Sequence, residues 1–178
     1  MRQSVADIED LLQRDLKAAT LMAQARYSEA GSVEDRIVAG TLLAECLSRR
    51  GRQDSAERML NRLSLSASGN PRHEAMVLCQ LALIDSRRGK FTQMLRRAVQ
   101  ARARAGEAGD REIEARCLSA VAMAYDVLGV YGESMQHRVN ELLIWQRLGR
   151  SAPVESLVHL AGLYPVSYTH LRAHETTV

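Results

Sequence analysis

The sequence predicts an all-α fold, a right-handed solenoid of antiparallel helix pairs, on three observations. Apolar residues recur at helical spacing, and no segment alternates in the manner of a strand. Glycines punctuate the chain regularly: Gly31 and Gly51, Gly69 and Gly89, and Gly109 and Gly129 each stand 20 residues apart, and Gly149 follows Gly109 by the 40 that separate Gly69 from Gly109. Ala, Leu, Arg and Glu, all strong helix formers, make up much of the composition, and only 3 prolines interrupt it. A glycine at each half-period suits a chain of helical hairpins, because Gly takes the left-handed conformation that closes a helix without a Cβ penalty.

The elements follow in order. Residues 5–29 read as one acidic, amphipathic helix, so that 1–31 forms a capping or degenerate repeat. Ser32, ahead of Val33-Glu34-Asp35, caps a helix over 33–50 whose stripe is Leu43, Ala44 and Leu47. Across Gly51, a helix over 53–66 answers with Ala56, Met59, Leu60 and Leu63. Asn70-Pro71, a cap followed by proline at the first helical position, opens a helix over 71–88 carrying Leu78, Leu81 and Ala82. After Gly89-Lys90-Phe91, a helix over 91–106 carries Met94, Leu95, Ala98 and Ala101. The third pair, 110–128 and 131–148, sets Leu118, Val121, Ala122 and Tyr125 against Met135, Val139, Leu142 and Leu143. Ser151 is expected to cap a last helix over 152–164. The units are therefore 32–69, 70–109, 110–149 and a half repeat, 150–164.

Ala122, Tyr125, Gly129, Tyr131 and Ser134 fit a small residue and an aromatic in the first helix, a Gly-x-aromatic turn, and a small residue early in the second. Ala82, Gly89 and Phe91 repeat the pattern, where Asp85 and Met94 depart from it; Ala44, Gly51 and Ala56 repeat it again, with Leu47 and Gln53 where aromatics are usual. From Ser32 to Tyr164 the chain resembles the longer tetratricopeptide (TPR) repeats of bacterial signalling proteins. Tyr125-Asp126-Val127-Leu128-Gly129 and Ala161-Gly162-Leu163-Tyr164 are similar to repeats preceding GGDEF-type diguanylate cyclase domains and, nearly as much, to those of ATP-dependent transcription regulators. The resemblance implies a non-catalytic protein-interaction scaffold, the regulatory or sensory N-terminal part of a larger signalling protein. Its partner would be a protein, a peptide or a neighbouring domain. In such repeats the first helix of each pair lines the concave surface. The family's groove positions fall on Thr41, Glu45 and Arg49, on Gln80, Leu83 and Arg87, and on Ser119, Met123 and Asp126. These positions lack the Lys and Asn of the family's clamp for chaperone C-termini, and their mixed charge suits a peptide or a neighbouring domain.

The run Val166-Ser167-Tyr168-Thr169-His170-Leu171-Arg172-Ala173-His174-Glu175-Thr176 resembles the translation of one frame of a transposase sequencing adapter. Residues 165–178 are accordingly expected to be a non-native tail with no functional contact, and the natural sequence to stop near Tyr164. The repeat register indicates the same boundary. Gly162 takes the small position of a fourth first helix, but Pro165 stands where that helix needs an aromatic or aliphatic residue. His170 and His174, spaced like two metal ligands on one helix face, are set aside with the tail.

No Gly-rich phosphate loop, HExxH or GxSxG stands in the chain, so no enzyme activity, cofactor or metal is expected. Cys46, Cys79 and Cys117 lack any CxxC spacing and read as reduced core residues; His73, His137 and His159 are scattered and read as surface or groove residues. No apolar run approaches the roughly 20 residues of a membrane span, and Met1-Arg2-Gln3-Ser4 leads into an acidic segment rather than a signal-peptide core, so a cytoplasmic location is expected. A net charge of +3 does not by itself argue for nucleic acid. Arg87, Arg88, Lys90, Arg96, Arg97, Arg102 and Arg104 nevertheless share one hairpin, which makes a nucleic-acid-associated or transcription-regulator module the alternative. Phe91, the aromatic near them, falls in the turn, so a solvated face is the expectation.

Overall fold

In the computed structural model, which describes residues 5–154 and 156–162, the first helix of each full pair begins on a side-chain cap. Ser32, Asn70 and Asp110 accept the backbone N–H groups of Asp35, His73 and Ile113 at 3.0, 3.1 and 3.0 Å. They open α3 (Val33–Arg49), α5 (Pro71–Arg87) and α7 (Arg111–Val127). Each cap satisfies one of the N–H groups that a helix start leaves unpaired. The second helices, α4 (Gln53–Ala67), α6 (Phe91–Ala108) and α8 (Tyr131–Arg147), have no side-chain cap, and the turn itself launches them. Gly51, Gly89 and Gly129 take φ values of 77°, 71° and 75°. The next residue's N–H, on Arg52, Lys90 or Val130, then returns to the carbonyl of Leu47, Asp85 or Tyr125 at 2.9 Å. Gly31 does not share this left-handed conformation.

The single N-terminal helix expected over 5–29 is two helices, α1 (Val5–Arg14) and α2 (Leu16–Ser28). Asp15, at φ −144°, lies outside both, and its carboxylate accepts the N–H groups of Lys17 and Ala18 at 3.0 Å each. Aspartate competes for backbone donors and is poor inside a helix, whereas at a cap it satisfies two of them. At the other end, residues 151–153 are not helical and residues 156–162 are, so the last helix begins after Pro153 and not at Ser151.

Successive helices pack against one another along the chain, and α3, α5 and α7 also touch side by side. Leu and Ile dominate the core of α1 to α4: Ile8, Ile37, Leu42, Leu43, Leu60 and Leu63 are buried there with Val77, Leu81 and Ile84 of α5. Burying each such side chain contributes about 1.5–3 kcal/mol. Alanine dominates the next core, where Ala75, Ala82, Ala98, Ala101, Ala105, Ala120 and Ala124 surround Met94, Cys117 and Val121. Small contact residues bring helix axes closer. Gly40 does the same in α3, where a Cβ would stand 2.5 Å from Leu63 Cδ1 and 3.0 Å from the Tyr27 ring.

The apolar stripe expected on α8 is out of phase. Val139 and Leu143 are exposed, and Ser134, Arg138, Glu141 and Trp145 face inward. His73, expected at the surface or in the groove, is buried at the start of α5. No strand occurs among the described residues, and no described helix is long and apolar enough to cross a membrane.

Ala122 is fully buried on α7. Ala122→Leu adds volume to a close-packed contact and should cost about 1–3 kcal/mol, read as a lowered midpoint in chemical denaturation. An unchanged midpoint would contradict this placement.

Candidate functional site

The faces of α3, α5 and α7 form a groove, and the order of the residues along it follows from the repeat. Glu45 is the pivot of its first half. Its carboxylate pairs with Arg49 at 2.8 Å and accepts from Gln80 Nε2 at 3.4 Å, which links α3 to α5. Arg87 donates to Ser48 Oγ at 3.0 Å across the same junction. Ser86 Oγ lies 3.7 Å from the sulfur of Met123 on α7. Two adjoining cavities of about 260 and 420 Å³ open along this face. Thr41, Glu45 and Gln80 line the smaller; Glu45, Gln80, Arg49, Leu83, Arg87, Ser119 and Met123 line the larger. Of the nine sequence-derived groove positions, Thr41 is buried, its hydroxyl held by the Val38 carbonyl, and Asp126 lines neither cavity. A separate cavity of about 520 Å³ lies among α4, α5 and α6 and contains none of these residues.

The groove is not empty of protein. α1 lies against it, so that Glu9 accepts from Arg116 of α7 at 2.7 Å and the Leu12 carbonyl accepts from Arg49 of α3 at 3.5 Å. Arg116 also pairs with Glu112 at 2.9 Å. Burial works against the Arg116 charge, but the two carboxylates more than offset it and raise the pKa of the guanidinium. This placement was not expected from the sequence. Asp15, a capping residue in mid-stripe, was the available signal.

Asp126 faces a different assembly, at the junction of α7, α8 and the last helical segment. Arg138, buried, reaches Asp126 at 3.4 Å and Ser119 at 3.5 Å. Glu141, also buried, accepts from Ser156 Oγ at 2.7 Å and from Trp145 Nε1 at 3.3 Å. Sequence reasoning missed these residues although the register held them. The buried set Met94, Ala98, Ala101 and Ala105 of α6, moved on by the 40-residue repeat, lands on Ser134, Arg138, Glu141 and Trp145. Of the other titratable groups, Cys46 is held up at about 11 by burial and then by Glu45. Cys79 and Cys117 meet between α5 and α7. His137 stacks on Tyr125 with ring centroids 5.5 Å apart, and His159 is half-exposed near Asp126. No group of three potential metal ligands occurs among the described residues.

The arginines of the second hairpin are largely engaged. Arg88 pairs with Asp54 and with Glu57, Arg97 reaches the buried Asp85 at 2.7 Å, and Arg104 bridges Glu74 and Glu107 at 2.9 and 2.7 Å.

No sequence-family model matches the chain, and no curated protein matches it in sequence. Solved structures do. BtubC (BKLC) from P. vanneervenii superposes with a TM-score of 0.66 at 18% identity, over 97% of this chain and 75% of that one. A kinesin light chain of nearly identical TPR-like repeats from Podosopora anserina superposes with a TM-score of 0.60 at 17% identity, over 96% of this chain and 88% of that one. The fold is an all-helical, TPR-like solenoid.

Two outcomes are expected of the buried polar cluster. Arg138→Ala removes the guanidinium that pairs with Asp126 at 3.4 Å and stands 3.8 Å from Glu141, and should cost roughly 3–5 kcal/mol, measured by denaturant titration. Burial, outweighing the bonds from Ser156 and Trp145 and the Arg138 charge, lifts the Glu141 carboxyl above its ordinary 4.5. The stability tied to that raised value is fully present below 4.5 and is lost as pH rises through the folded value. Glu141→Gln should therefore flatten the decline of Tm between mildly acid and neutral pH. A steeper decline in the variant would contradict the assignment.

Proposed function

We propose that this chain is a non-catalytic protein-interaction scaffold whose α3–α5–α7 groove receives a peptide or a helix of a partner protein, and that it serves as the regulatory or sensory part of a larger bacterial signalling protein. The observation that carries the reading is the convergence of Glu45, Gln80, Leu83, Ser119 and Met123, from three repeats, on two joined cavities. Apolar contact from Leu83 and Met123, beside polar groups that fix orientation, is the usual chemistry of a groove that binds an amphipathic segment. The TPR-like fold supports the same reading, since stacked helix pairs present an extended surface of this kind.

The nucleic-acid alternative loses ground on the arginine hairpin. Phosphate binding needs cations free to displace the counterions condensed on the nucleic acid, and Arg88, Arg97 and Arg104 are held by carboxylates of the same chain.

Peptides selected by display on the full chain, measured by fluorescence anisotropy, test the proposal. Met123→Glu and Leu83→Asp should weaken them by about tenfold or more, equivalent to about 1.4 kcal/mol or more, with helicity unchanged. Affinity should fall far less with rising salt than the binding of a polyphosphate backbone does. Binding unaffected by both substitutions, or an oligonucleotide that binds with steep salt dependence, would overturn it.

A further inference from the structure

We infer that α1 is a displaceable occupant of the groove, and that the partner it stands in for is an acidic amphipathic helix of another protein. This rests on reading the groove as a protein-binding surface and names the class of partner. Three observations carry it. α1 is joined to α2 by one residue, Asp15, packs on α2 and α3 with Arg49 bonded to its Leu12 carbonyl, and through Glu9 reaches beyond the helices it packs on to Arg116 in the third repeat.

Its chemistry is that of a groove ligand. Ile8 and Leu12, one turn apart, are buried against the solenoid, and Glu9 beside them meets the Arg116 guanidinium. The helix carries three carboxylates, Asp7, Glu9 and Asp10, against Arg14, and it rests on arginines.

Finally, α1 does not fill its seat. The 260 Å³ cavity opens beside Val5 and Glu9, and the 420 Å³ cavity beside Leu12 and Gln13. A longer helix on the same line would occupy both. Tethering gives α1 a high effective concentration, so a partner must compete with it, and its apparent affinity falls by the fraction of time the groove stands open.

The probe is a fluorescein-labelled peptide with the sequence of residues 4–15, titrated against the full chain. Glu9→Arg opposes two guanidinium groups and loosens α1, so the peptide should bind this variant roughly tenfold or more tighter than the parent. The double variant Glu9→Arg/Arg116→Glu re-pairs α1, and binding should return to the parent's level. Hydrogen exchange should show α1 amides exchanging faster in Glu9→Arg while those of α3 and α5 stay protected. Equal peptide affinity for parent and Glu9→Arg, with α1 amides exposed in the latter, overturns the proposal.

Should Glu9→Arg unfold the chain, Arg116→Gln gives a second reading, because α1 amides must exchange faster in it than in the parent. Unchanged rates overturn the proposal. If display-selected peptides bind the groove and the residue 4–15 peptide does not bind the loosened form, the partner class is wrong and the groove reading stands. If no peptide binds either form, both fall together.

Discussion

Everything in this fold depends on how the chain turns back after each first helix. At Leu47–Arg52, Asp85–Lys90 and Tyr125–Val130 the same bond closes the helix across a left-handed glycine, and the next helix starts at once. A residue with a Cβ pays a steric cost of roughly 1–2 kcal/mol in that conformation, which is why glycine recurs there. Because every turn has the same geometry, α3, α5 and α7 come to lie side by side. The backbone thus holds the repeat together, and the exposed side chains of those three helices are left for other work.

That device was legible in the sequence because it uses a residue type at a fixed interval. The caps Ser32 and Asn70 were legible for the same reason. What escaped notice depended on phase rather than residue type. On α8 two stripes share the helical period, Met135-Val139-Leu142 and Ser134-Arg138-Glu141-Trp145, and hydropathy favoured the one that is at most half-buried. Charged residues inside a helix pair are hard to foresee, since their placement depends on partners such as Asp126 and Ser156 from other elements. Likewise most of the groove positions could be placed by register, whereas the seat of α1 turns on a contact between Glu9 and Arg116, far apart in sequence and in no periodic relation.

Arginine accounts for nearly all the positive charge, and the structure gives much of it an architectural use. Arg72 joins Glu34 at 3.1 Å and Asp110 at 2.8 Å, so one guanidinium ties together the starts of α3, α5 and α7. Single exposed pairs of this kind contribute little, but a planar group shared between two carboxylates also fixes the spacing of the helices that carry them. Arg88, bonded to two carboxylates of α4, fixes α5 to its neighbour in the same way. Part of the basic composition thus serves as joints between helices.

A stack whose units touch only their neighbours behaves mechanically as a spring, because stretching or bending it strains each junction a little. α1 changes that behaviour. By fastening Leu12 to Arg49 at one point and Glu9 to Arg116 at another, it lays a short strut along the inside of the curve. The strut ties the first repeat to the third directly, in addition to the contacts each unit makes with its neighbours. Any widening of the groove between those two points must therefore lengthen or break a bond made by one ten-residue helix.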